Sequence, residues 1–289
     1  MNHPFAPFPK EHVEQSVPAL FEGQVERTPG RLAIKGRRHA LTYRALDRQA
    51  DRLAHAIVAR RGHGRETVAL IFEHDAPAIA AILGVLKAGK IYVGLDPRHP
   101  PARLARILAD SEAPLLVFGA GFAGLARKLA ASSGCEVLEA EALDPAAPAA
   151  RLGLSIAPSA PACICDTGGS TGEPKGVVLD HRGLLHRIMT YVNRARIGPD
   201  DRLSLLHSMS VTGSFRQMYG ALLTGAAVYP FDLGHEGLAG LGAWLRAERI
   251  TVCHLAASVF RHFAGALTGT ARRLEGDRAA TARASSTPR

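Results

Sequence analysis

The apolar positions change period repeatedly along the chain. Leu46, Ala50, Leu53, Ala54 and Ile57 recur at helical spacing, with Arg44, Asp47, Arg48 and Asp51 read as the opposite, polar face. The apolar run at 67–72 (TVALIF) predicts a short buried strand. Residues 76–87 predict an apolar helix, stopped by Gly89. Residues 91–95 predict a strand ending at Asp96-Pro97. A helix over 101–110, a strand over 115–118, a helix over 122–131 and a strand over 136–138 follow. A Pro/Ala-rich loop covers roughly 142–161. The alternation then resumes with a strand at 162–165, a glycine-rich turn at 168–175, a short strand at 177–178 and a helix over 181–194. Strands at 203–206, 227–229 and 251–254 alternate with helices near 213–223, 236–248 and 256–267.

This rhythm predicts an α/β fold with largely parallel sheets flanked by helices. Residues 1–19 are Pro-rich and aperiodic, and are read as a lead-in arm. Residues 20–267 form the main body, in two halves, 20–141 and 162–267, joined by the Pro/Ala-rich loop. After Leu267 the hydrophobic pattern stops. Residues 268–289 cannot bury a face and are expected to be disordered.

Composition changes this picture little. The 289 residues are 47% hydrophobic and 21% charged, which excludes a wholly disordered, collagenous or coiled-coil chain. The net charge of +9 invites a nucleic-acid reading, but a third of it falls in 271–289, where five arginines meet Glu275 and Asp277. No zinc-finger spacing and no basic run interleaved with aromatics occurs, so no nucleic-acid partner is expected. No apolar run reaches the roughly eighteen residues of a membrane span, and no basic segment followed by an apolar one opens the chain. A reduced, cytoplasmic, soluble protein is the expectation.

The cysteines are Cys135, Cys163, Cys165 and Cys253. Cys163-x-Cys165 is read as placing its thiols on opposite faces of a strand, suiting neither a disulfide nor shared metal ligation. Small buried apolar residues are expected there. His181 and His186 lie five apart and share no helix face, so no metal site is expected.

The chemistry concentrates in 162–178, ACICDTGGSTGEPKGVV. A buried strand runs into Thr167-Gly168-Gly169-Ser170-Thr171-Gly172, followed by Pro174-Lys175-Gly176. The glycines permit tight turns and close approach of a ligand to the backbone. Successive N–H groups in such a loop make an anion-binding concavity. The hydroxyls of Thr167, Ser170 and Thr171 add donors, and Lys175 adds a positive charge. This set suits nucleotide phosphates, and its spacing is not that of a Walker A loop.

The stretch TGGSTGEPKGVVLDH resembles the signature of the adenylate-forming (AMP-binding) superfamily. Two more segments support the resemblance. Leu41-Thr42-Tyr43-Arg44-Ala45-Leu46 resembles the family's L-T-Y-x-x-L element. Residues 86–97, LKAGKIYVGLDP, resemble the L-K-A-G-x-x-Y-V-P-L-D-P element of its nonribosomal peptide synthetase branch. The resemblance runs from about Phe21 to about Leu267. It implies the front part of a large N-terminal domain that uses ATP, with Mg²⁺, to turn a small carboxylic acid into an acyl-adenylate. A thiol of CoA or of a carrier-protein pantetheine would then take the acyl group. It also implies that Thr167, Ser170, Thr171 and Lys175 contact the phosphates, with Gly168, Gly169 and Gly172 shaping the loop. Lys175 would carry the catalytic charge.

The sequence departs from the family pattern at named positions. Gly168 stands where serine is usual, Asp166 where an apolar residue is usual, and Gly94 where proline is usual. His207-Ser208 is aligned with the substrate-pocket pair, usually an aromatic residue and an aspartate. Ser208 cannot hold an α-ammonium group, which favours a simple carboxylic acid as substrate. The family's later motifs for adenine, ribose and Mg²⁺ are not found before Arg289. The expectation is therefore a truncated form, inactive alone, with a second polypeptide supplying the missing part. A non-catalytic binding fragment is the alternative. A dinucleotide-binding oxidoreductase stays open through Gly119-x-Gly121-x-x-Gly124, which follows a strand, opens a helix and has Glu139 beyond it.

Overall fold

Strand order and the two-residue strand period decide what each part of this chain can bury. The computed structural model describes residues 5–167 and 175–265. After a 3-10 turn at Lys10–Glu14, α1 (Val17–Arg27) leads to β1 (Leu32–Lys35), β2 (Ala40–Thr42) and α2 (Tyr43–Arg61). Then come β3 (Thr67–Ile71), α3 (Ala76–Lys87), β4 (Ile91–Leu95), α4 (Pro101–Asp110), β5 (Leu115–Phe118), α5 (Ala123–Ser133) and β6 (Glu136–Glu139). A long connection precedes β7 (Pro161–Thr167), β8 (Lys175–Asp180) and α6 (His181–Ala195). The series closes with β9 (Arg202–Leu205), α7 (Thr212–Leu222), β10 (Ala227–Pro230), α8 (Leu233–Glu236) and α9 (Leu241–Ala247).

Two sheets result. One has the order β2-β1-β10-β9, the other β6-β5-β3-β4-β7-β8. All neighbours are parallel except β2 on β1 and β8 on β7. The fold is thus mixed α/β with mostly parallel sheets flanked by helices, as the alternation predicts. On the six-stranded sheet, Ala69, Ile71, Val93 and Leu95 face one way and pack with Leu104, Leu108 and Leu129 of α4 and α5. Val68, Leu70 and Tyr92 face the other way, into a larger core shared with α2, α3 and Ile34, Leu203 and Val228 of the first sheet. Helix α3 is buried along its whole length, which is why its sequence is apolar on every side.

The family-like motifs have structural work in this core. Thr42 Oγ1 caps α2 by accepting the Ala45 N–H. The Tyr43 hydroxyl, buried beneath it, donates to Ala226 O at 2.7 Å and so ties α2 to the start of β10. Lys87, 2% exposed at the end of α3, places its ammonium against Asp47 and Asp51 at 2.6 Å and Glu22 at 2.8 Å. Arg151 of the long connection adds a second cation, 2.5 Å from Glu26 and 3.9 Å from Asp47. Asp47 and Asp51 are therefore buried, correcting their assignment to a polar outer face. The carboxylates are charged groups turned inward toward a charged partner.

Several other expectations meet a different outcome. Cys163 and Cys165 do not lie on opposite faces. Residues two apart share a strand face, and their thiols are buried 3.7 Å apart in the same core. Part of the arm at 1–19 packs closely: Phe8 and Val13 are buried, and α1 begins at Val17. Asn193 holds Phe8 by two hydrogen bonds, accepting its N–H at 2.7 Å and donating to its carbonyl at 3.2 Å. The strand expected at 251–254 is a single parallel bridge between Val252 and Leu203. The tail at 268–289 lies outside the described residues.

The chain divides into two compact units, one of residues up to Phe231 with Ile250–Cys253, the other of Asp232–Arg249 and residues from 254. In the second, Asp232 caps α8 through the Gly234 N–H. The helix expected at 236–248 is interrupted where Gly237 takes φ +71°, and resumes as α9. Residues 257–265 are helical.

Two outcomes follow for stability. Lys87→Met strands the buried carboxylates of Asp47 and Asp51 and the half-buried one of Glu22, and the loss should be about 3–5 kcal/mol by urea denaturation. His181 is buried and its Nδ1 accepts the Val17 N–H at 3.2 Å. Burial pushes its pKa down from 6.5 to about 4. The unfolded imidazole takes a proton that the folded one refuses, so stability should fall as the pH drops from 6.5 toward 4. At about 1.4 kcal/mol per unit the effect reaches about 3 kcal/mol. His181→Gln should flatten that part of a urea-midpoint profile against pH.

Candidate functional site

The two segments singled out for chemistry meet at one end of the six-stranded sheet. Strand β7 lies parallel to β4, with Tyr92 opposite Cys163 and Val93 opposite Ile164. The carboxyl ends of both strands therefore point the same way, a strand spacing of about 4.8 Å apart. At the end of β7 the backbone of Thr167 pairs with Lys175, the first residue of β8. Thr167 and Lys175 thus stand opposite each other at the mouth of a hairpin. Gly168, Gly169, Ser170, Thr171 and Gly172 lie outside the described residues, as do the side chains of Asp166, Thr167 and Lys175.

The end of β4 carries the second segment. A Cβ built on Gly94 would lie 3.0 Å from Ser210 Cα and 3.2 Å from Met209 O. The glycine that replaces the family's proline therefore lets the 207–211 backbone lie directly on the strand. Asp96, just beyond, is held by Arg98 through Nε at 2.9 Å, Nη2 at 2.6 Å and the backbone N–H at 3.0 Å. Burial pushes the Asp96 carboxyl up, but the Arg98 guanidinium and a hydrogen bond from Ser208 outweigh it. The carboxyl is held well below the usual carboxylate range. The Ser208 and Ser210 hydroxyls lie 2.9 Å apart. The sequence reading named Ser208 but missed Asp96 and Arg98, although both sit in or beside the quoted LKAGKIYVGLDP element.

His207 is oriented by a residue the sequence reading also missed. The side-chain oxygen of Gln217, buried on α7, accepts the Leu206 N–H at 3.3 Å and the His207 N–H at 3.4 Å. It lies 3.2 Å from His207 Nδ1. An amide oxygen cannot donate, so in this contact Nδ1–H is the donor. Gly213 closes on the ring, since a Cβ there would lie 2.7 Å from His207 Cδ2. No polar residue one helical turn or more beyond a loop could be assigned to this role from spacing alone.

The dinucleotide-like glycines sit elsewhere. Gly119 follows β5, and the Ala120 N–H is accepted by the Glu141 carboxylate at 3.1 Å. A Cβ on Gly121 would approach Glu73 Oε1 at 3.5 Å. Two carboxylates therefore stand at this turn, Glu141 on its backbone and Glu73 beside it, the latter paired with Arg38. Among the described residues the carboxylate group with metal-ligand spacing is Glu22, Asp47 and Asp51. It already surrounds the Lys87 ammonium, so it does not fit Mg²⁺ as well.

Comparison with known proteins gives the lineage. The family model described as AMP-binding enzyme matches residues 21–287. Surfactin synthase subunit 2 of Bacillus subtilis is 34% identical over 270 residues, covering 90% of this chain and 7% of that protein. Crystal structures of the nonribosomal peptide synthetase FmoA3 align with TM-scores of 0.79 for the alpha-methyl-L-serine-AMP bound form and 0.75 for the AMPPNP bound form. Their identities are 27% and 29%, covering 91% and 85% of this chain and 28% and 26% of theirs. The N-terminal subdomain of Klebsiella oxytoca NpsA in complex with 3-hydroxybenzoyl-AMSN aligns at 0.76 and 25% identity, covering 86% of this chain and 62% of that one. The chain thus spans a small part of the synthetases it matches.

Gln217→Leu should free the imbalance between the two His207 tautomers. Long-range ¹H–¹⁵N NMR should show Nδ1 protonated in the parent protein and a shift toward Nε2–H in the variant. An unchanged tautomer would mean that Gln217 does not set it.

Proposed function

We propose, from the premise that this chain belongs to the AMP-binding enzyme family, that it activates a carboxylic acid with ATP as an acyl-adenylate. A carboxylate oxygen bonds to the α-phosphorus and pyrophosphate leaves. The acyl group then passes to the thiol of CoA or of a carrier-protein pantetheine, releasing AMP. Such chemistry rests on positioning and charge neutralisation more than on covalent groups of the protein.

The observation that carries the reading is the hairpin mouth, with Thr167 opposite Lys175 on the strand next to β4, where Met209 and Ser210 lie on Gly94. In this reading Thr167, Ser170, Thr171 and Lys175 hold the phosphates, and His207 and Ser208 line the acid pocket. The acid is a simple one. The segment 207–212 has no carboxylate, and the nearby Asp96 is already committed to Arg98. Mg²⁺ would enter with the ATP phosphates. In this reading turnover needs a partner segment that supplies the adenine, ribose and Mg²⁺ contacts, whose motifs are not found among these 289 residues. The protein works in the cytoplasm, where ATP and thiol carriers are available. No helix of the described residues is long and apolar enough to cross a membrane.

The purified chain should bind AMPPNP, and Lys175→Ala should weaken that binding at least about tenfold, or about 1.4 kcal/mol. Calorimetry reads both. Binding unaffected by the substitution would overturn the phosphate site. Carboxylate-dependent ATP–pyrophosphate exchange should be absent with the chain alone. Exchange by the chain alone that disappears in Lys175→Ala would keep the activity and overturn the partner requirement.

A further inference from the structure

A cleft of about 230 Å³ opens between α2, α3 and the segment after β6. Gln49 and Arg52 of α2, Ala81 of α3, and Glu141 and Leu143 of the following segment line it, with Leu53 in the wall. None of these residues belongs to the β7–β8 hairpin or to 207–212.

Arg52 is the anomaly. Among the described residues its buried Nε has no hydrogen-bond partner. Arg31, Arg61, Arg98, Arg151 and Arg182 each meet a carboxylate. A guanidinium is always charged and brings five N–H donors in a planar fork. Arg52 is half-buried, and it is its Nε–H, buried without an acceptor, that is costly. The nearest acidic wall residue, Glu141, is already bonded to the Ala120 N–H.

The topology gives a second, independent pointer. From β3 the chain steps to β4 on one side, then returns to place β5 and β6 on the other. The order reverses between β3 and β5, and open parallel sheets bind ligands in the crevice at such a switch point. Here the crevice holds a cavity of about 350 Å³ lined by Phe72, Glu73 and Gly119, and it shares His39, Pro77 and Glu141 with the Arg52 cleft.

We propose that this cleft is a binding site for a small monocarboxylate, an aromatic or short aliphatic acid, with Arg52 as its charge partner. The acid's carboxylate meets the planar fork, with the Gln49 amide as a further donor. Its apolar body lies against Leu53, Ala81 and Leu143. Glu141 and Asp75 near the shared wall disfavour a second negative charge, and Arg38 beside them is committed to Glu73. The site therefore selects a monoanion over inorganic phosphate.

The test uses the full chain with ¹³C-methyl-labelled alanine and benzoate as the probe. Benzoate should shift the Ala81 and Ala140 methyl signals saturably, and phosphate at the same concentration should not. Arg52→Gln should weaken the benzoate response more than tenfold, while Lys175→Ala should leave it unchanged. Should Arg52→Gln fail to fold, Leu143→Trp, which fills the cleft from the opposite wall, should abolish the response. No saturable shift of those methyls in the parent protein overturns the site. So does a shift that survives Arg52→Gln, or Leu143→Trp where the first variant is unfolded, and so does an equal response to phosphate.

Discussion

The Lys87 ammonium holds the first half of this chain in register. It sits at the end of a helix buried on all sides, and such a helix offers no polar face to fix its rotation or its axial position. Three carboxylates from two other helices supply that fix. Asp47 and Asp51 come from one turn of α2, and Glu22 from α1. Burial opposes the charge on Lys87, yet the three acids keep its pKa above the ordinary lysine value. Replacing such a cluster by well-packed apolar residues could be as stable, so its role here is better described as specifying one arrangement than as adding stability. With α3 fixed, β4 begins four residues later in a defined place, and the site at its other end inherits that position.

At that far end the same economy of charge recurs. Asp96 does not stand free to meet a ligand. Arg98 grips it through three hydrogen bonds, and Ser208 adds another. The contact turns a charged residue into a peg for the 207–211 segment. Gly94 provides the clearance, Gln217 fixes the histidine ring, and Gly213 leaves room for it. A site built this way presents backbone, hydroxyls and one oriented imidazole, with its acidic charge already neutralised. That is a surface suited to an anionic reactant.

Much of this architecture is legible in the sequence, because a period near 3.6 and a period of two look different even in an alanine-rich chain. Helix α3 and strands β4 and β5 fall where the pattern puts them. What escapes has identifiable causes. Helix α1 starts within a Pro-rich stretch, where Pro18 at the first turn reads as a breaker although it suits that position. Asp47 and Asp51 read as solvent-facing, since no local pattern announces a lysine forty residues away. The partners of His207 and Asp96 are likewise set by tertiary contact. The glycine-rich turn is legible as a motif, and the strands on either side fall close to the expected positions, while their antiparallel pairing is not announced by the sequence.

The two glycine-rich turns show why a motif needs its electrostatic surroundings. Both follow a parallel strand at the same end of one sheet, and both have the spacing to present backbone N–H groups. The turn after β7 brings hydroxyls and a lysine in its own sequence. The turn after β5 brings none, and the structure adds Glu141 on its first free N–H and Glu73 beside Gly121. A pyrophosphate there would have to displace the Glu141 carboxylate from the Ala120 N–H and compete with Glu73 for Arg38. Crowding explains the first of these glycines alone: a Cβ on Gly119 would lie 3.1 Å from the Phe72 ring, whereas one on Gly124 would meet open space. Backbone geometry makes an anion site possible, and the sign of the neighbouring side chains decides whether one forms. By that criterion the β7 turn is the one that suits the phosphate site proposed above. The positive charge of Arg52, set back from the β5 turn, leaves room there for a monoanion and not for more.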